Sequence, residues 1–167
     1  MFCYTTQSQM QTTTAYTCSG TPTTEIDVYS MKPGSSRMTS VYAVRGQGRG
    51  AGLTALSGIL LNFKDWTTGS TAGSTLTPTP NDKGNTVAAA TVVRIGTGGG
   101  VNAVTPGTGG PLYRGGFGFG GSGSSGWTAA NPDAALAMNA AYAGSLDIFS
   151  LSGTASLPYD FWVEHSE

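Results

Sequence analysis

Apolar and polar positions alternate along this chain in short runs, and the helical period is almost absent. "TEIDVYSM" alternates strictly: Ile26, Val28 and Ser30 share one face, and Glu25, Asp27 and Tyr29 the other, which predicts a half-buried strand. "RMTSVYAVR" predicts the next strand. The "KPGSS" between them is a turn, with a fixed backbone angle at Pro33 and a permissive one at Gly34. "LSGILLNFKDW" places Ile59, Leu61 and Phe63 on one face of a further strand, with Leu60 making it apolar on both sides. "TVAAATVVRIG" carries alanines that permit helix, but the flanking Thr and Val favour strand. "SLDIFSLSG" and "YDFWVEHSE" are both alternating strands. One segment has helix chemistry. In "NPDAALAMNAAY", Asn131 suits a cap and Pro132 the first helical position, the rival reading being a loop and a short strand at Ala135–Met138.

The segments between these runs are rich in Gly, Ser, Thr and Pro. "TLTPTPND" cannot be helix, because Pro78 and Pro80 each remove a backbone donor and force the preceding residue to extended angles. It is also a poor central strand, so it predicts an exposed, extended connection into Val92 and Val93. "GQGRGAG" and "TGGGVNAVTPGTGG" predict loops, and "PLYRGGFGFGGSGSSGW" a Gly-Ser segment punctuated by Tyr113, Phe117, Phe119 and Trp127. About eight short strands separated by turn signals point to an all-β fold: a two-sheet sandwich of jelly-roll type with long loops. Residues 1–22, polar and weakly alternating, predict an N-terminal arm or edge strand, and residues 23–167 the sandwich domain.

Composition agrees. The 167 residues suit one domain, and a chain of that length buries about 70% of its unfolded surface. Only 10% of residues are charged and the net charge is -1, while three Trp, seven Tyr and six Phe supply apolar bulk, so the chain is not of the disordered class. The scattered Arg and Lys do not make the basic face that nucleic acid demands. The first residues, "MFCYTTQSQMQTTT", lack the basic start and apolar run of a secretory signal. No apolar stretch approaches the length of a membrane span. Cys3 and Cys18 are either two reduced thiols or one bridge stapling the arm to the first strand.

The candidate chemistry is thin. The only histidine, His165, is expected to be an exposed imidazole on a terminal strand, with no nucleophile assigned to it. "GSGSSG" lacks the nucleophile-elbow spacing, and "GQGRGAG" fails the dinucleotide fingerprint at its third glycine. Asp27, Asp65, Asp82, Asp133, Asp147 and Asp160 are scattered singly, and two cysteines with one histidine make no zinc pattern. The expectation is therefore a non-enzymatic protein with no catalytic residue, metal or cofactor. Contact chemistry is better represented. Tyr113, Arg114, Phe117 and Phe119 lie in a Gly-aromatic run, Arg45 and Arg49 in glycine contexts, and Phe2 and Tyr4 in the arm; these eight are the candidates for contact with a partner or a second subunit.

The order of these pieces resembles a family of small structural proteins encoded in tailed-phage genomes. The likeness rests on "EIDVYSM", on "GSTAGSTLTPTPNDKGNTVAAATVV" with its Thr-Pro segment before an alanine-rich strand, on Gly126-Trp127 near Asn131-Pro132, and on the closing "SLDIFSLSGTASLPYDFWVEHSE". It spans roughly Thr24 to Glu167, and departs from the family in "FGFGGSGSSG" and in the Cys-containing arm. The resemblance implies a virion protein made in the host cytoplasm, most simply a decoration or cement subunit on the capsid surface. Its partners would then be the major capsid protein and itself as a homotrimer, with no nucleic acid and no membrane. Two other readings fit the residues: a tail or head-fibre component, and a glycan-binding module using the aromatic loops.

Overall fold

The structure, a computed structural model, describes residues 2–7, 16–18, 26–48, 56–65, 74–95, 112–118, 124–140, 142–150 and 157–167. It is all-β, with no α-helix among the described residues. Two antiparallel sheets face each other across one core. In chain order the strands are β1 (Cys3–Gln7), β2 (Tyr16–Cys18), β3 (Ile26–Lys32), β4 (Thr39–Gly48), β5 (Leu56–Asp65), β6 (Ser74–Leu76), β7 (Thr79–Pro80), β8 (Val92–Ile95), β9 (Tyr113–Gly118), β10 (Ser124–Thr128), β11 (Leu136–Met138), β12 (Gly144–Ser150) and β13 (Leu157–Ser166). The first sheet runs β10-β4-β13-β1-β7, with β11 also on β4 and β2 also on β13. The second runs β6-β8-β3-β12-β5-β9. A jelly roll is eight strands in two Greek keys; here the described residues make sheets of seven and six strands.

The core is built from alternate residues of both sheets. Val41, Val44, Phe161, Val163 and Met138 come from the first; Tyr29, Met31, Leu61, Val93, Leu146 and Ile148 come from the second. Two register shifts explain departures from simple alternation. Val41 and Val44 are three apart, yet both are fully buried. The pairing steps from Glu164↔Ala43 to His165↔Val41, so Tyr42 is an extra residue and the phase of β4 changes there. In β3 the pairing steps from Ile148↔Tyr29 to Phe149↔Asp27, so Val28 is extra. The unbroken alternation expected through Ile26, Val28 and Ser30 therefore fails: Tyr29 and Met31 form the core face, while Ser30 is opposite Asp147 on the other.

The Thr-Pro segment joins the two sheets. Ser74–Leu76 is the edge strand of the second sheet, against β8, and Thr79–Pro80 is the edge strand of the first, against β1. The expected exposed connection is thus two short edge strands in succession, with Pro78 buried between them. Proline is tolerated because an edge strand needs no donor on its outer side. On the opposite flank, β9 and β10 are likewise consecutive in sequence and form the other edge of each sheet. At the β6–β7 flank the edge strands are only three and two residues long and Pro80 lacks a donor, which limits accidental pairing there.

Three further expectations change. The Gly-Ser segment contains two strands, β9 on β5 and β10 on β4, because glycine lets neighbouring chains approach closely. The helix signal at Asn131 is half right. Asn131 caps a single 3-10 turn, Pro132–Ala134, its side chain accepting from the Ala134 N–H, and Ala135 is already extended. Leu136–Met138 then pairs with Thr39–Val41, which buries Met138 and overrides the helix propensity of the alanines. The expected arm or edge strand at the N-terminus is, over residues 3–7, a strand flanked on both sides, by β13 and by β7. Tyr4 and Thr6 supply its inward face, and both are buried.

A bridge between the cysteines is ruled out by the register. Cys3 pairs with Ser166 and Cys18 with Leu157, near opposite ends of β13 and about 30 Å apart along the strand. A disulfide needs Cα atoms within about 7 Å. Cys3 is a free, exposed thiol.

Candidate functional site

Two constellations stand out, one on a sheet face and one at a corner of the sandwich. On the outer face of the first sheet, β13 alternates Phe161, Val163 and His165 inward against Trp162 outward. Trp162 is 37% exposed, large for a tryptophan in mid-sheet. Its register partner on β4 is Arg45, whose guanidinium lies over the indole 4.9 Å from the ring centre. Beyond Arg45 the next strand presents Gly126. A Cβ at Gly126 would lie 2.6 Å from the Val44 carbonyl and 3.0 Å from Arg45 Cγ, so only glycine leaves room for the Arg45 stem. Among the described residues Arg45 makes no hydrogen bond or ion pair, not even with Glu164, two residues from Trp162 on the same side of β13. A guanidinium stacked on an aromatic face keeps its rim of donors free.

The second constellation surrounds Glu167. Its backbone exchanges hydrogen bonds with Phe2, at 3.0 and 2.9 Å. Its carboxylate has no exposed surface and accepts from the Ala90 and Thr91 N–H groups at 2.7 Å each, while Arg37 donates at 3.4 Å. Burial alone would raise the pKa of Glu167. The His165 ring, the Thr91 side chain and the two N–H groups outweigh it and hold the carboxyl at about 2. Residues 85–91 make no strand ladder, and side chains take their backbone groups instead: Tyr4 donates to the Val87 carbonyl and Arg37 to that of Ala88. Gly34 is needed here for space. A Cβ would meet Ala90 Cβ at 2.6 Å, and the glycine backbone is not left-handed.

His165 lies within this corner. The expectation of an exposed imidazole is corrected: the ring is 1% exposed, stacks on Tyr4 at 5.5 Å and faces Glu167 Oε1 with Nε2 at 3.7 Å. The signal was present, since His165 is in phase with Phe161 and Val163. No serine, threonine or cysteine hydroxyl or thiol donates to it, and neither ring nitrogen has a hydrogen-bond partner among the described residues. A buried carboxylate, Asp147, accepts from Ser145 at 2.7 Å on the second sheet. The described residues hold no group of three or more metal-ligating side chains.

The eight contact candidates are thus distributed unevenly. Arg45 is exposed. Phe2 is 37% exposed, with the Arg37 guanidinium 5.7 Å over its ring. Tyr4 is fully buried and is a core residue, because alternation in β1 turns it toward His165. Tyr113 packs half-buried against the core. Arg114 and Phe117 lie in β9, opposite Leu60 and Ser57. Arg49 and Phe119 lie outside the described residues. Trp162 was missed, although the phase that buries Phe161 and Val163 turns it outward. Other exposed apolar side chains, Met38, Val92 and Leu112, begin or precede strands at the end of the sandwich where β3 turns into β4. A cavity of about 270 Å³ at that end is lined by Phe63, Ala137, Met138, Asn139 and Tyr142.

No family model, curated protein or solved structure matches the chain.

Proposed function

We propose that this protein is a non-enzymatic virion structural subunit that binds and decorates or cements a phage capsid shell. The observation that carries the reading is the Arg45–Trp162 pair. An exposed Trp on β13 beside an Arg on β4 that has no ion pair among the described residues is contact chemistry, since these residue types dominate the energetics of protein interfaces. Support also comes from the flank formed by β6 and β7, whose edge strands of three and two residues suit a subunit packed in many copies without edge-to-edge pairing there. The resemblance to tailed-phage structural proteins supplies the shell as partner. The glycan-binding reading finds one favourable feature, the exposed indole, but Arg45 occupies one of its faces at 4.9 Å, leaving less platform for a sugar ring.

Co-sedimentation of the purified protein with shells of the major capsid protein tests the proposal. Saturable binding at many copies per shell is expected. No binding to shells, with binding instead to tails or to a glycan array, would replace it by one of the alternatives.

A further inference from the structure

We draw no further inference here: the strongest candidate, the apolar cavity of about 270 Å³ lined by Phe63, Ala137, Met138, Asn139 and Tyr142, with the exposed Met38 at the same end of the sandwich, carries nothing because nothing in the structure shows what covers it.

Discussion

Glu167 shows how one side chain organises a corner of this molecule. Its carboxylate replaces the strand ladder that residues 85–91 lack, by accepting from Ala90 and Thr91, and it neutralises Arg37. The sign of its pH dependence follows from the depressed pKa. The group ionises at about 2 in the folded chain, against an ordinary value of 4.5. Its contribution is complete above the unfolded value and is lost as the pH falls from about 4.5 toward 2. Melting curves across that window should show this loss, and Glu167→Gln should flatten it while costing about 2 kcal/mol at neutral pH. A variant with an unchanged pH profile would show that the carboxylate does not hold the segment. Gly34 is a second single-residue constraint. Gly34→Ala puts a methyl 2.6 Å from Ala90 Cβ and 2.7 Å from its carbonyl, so chemical denaturation should report a loss of about 1–3 kcal/mol. A neutral substitution would mean that the 85–91 segment can move away freely.

At the scale of elements, β1 decides whether residues 2–7 are an arm or part of the sheet. Flanked by β13 and β7 and carrying Tyr4 into the core, the strand is expected to be indispensable. Deleting residues 2–7 should unfold the domain by circular dichroism, and Tyr4→Ala alone should cost about 3–5 kcal/mol. A folded, cooperative truncation would restore the arm. Much of the sandwich was legible in the chain. β3, β4, β5, β12 and β13 all lie where alternation and turn residues predict strands, and Leu61 and Phe63 share the inward face expected of them. What was not legible has physical causes. The extra residues Val28 and Tyr42 change the phase inside a strand, and a bulge leaves no mark in local composition. Cys3–Gln7 is too polar to signal burial, because its inward face is completed by a hydroxyl, Thr6, beside Tyr4. Ser124–Thr128 reads as a flexible linker, since the need for Gly126 appears only when β4 lies beneath it. In the candidate site, Arg45 stood out by its glycine context. Its partner Trp162 lies 117 positions along the chain, and only the β4–β13 register brings them together.

The described strands make a two-sheet sandwich whose edge strands are consecutive in sequence on both flanks, in a chain with only 10% charged residues. Such a subunit has little means of binding a large shell tightly through one patch. Association of three copies would turn later contacts into intramolecular ones and raise affinity by about a hundredfold or more. Native mass spectrometry of the purified protein is therefore expected to show a trimer, and a monomer at micromolar concentration would contradict that expectation. The central claim, that the protein works as a contact subunit on a capsid shell, is tested most directly by cryo-electron microscopy of the intact particle. The expected result is sandwich-shaped density in many symmetry-related copies over the shell, with the Arg45–Trp162 face turned to the capsid protein. Density confined to the tail vertex, or a particle without this protein, would contradict the account.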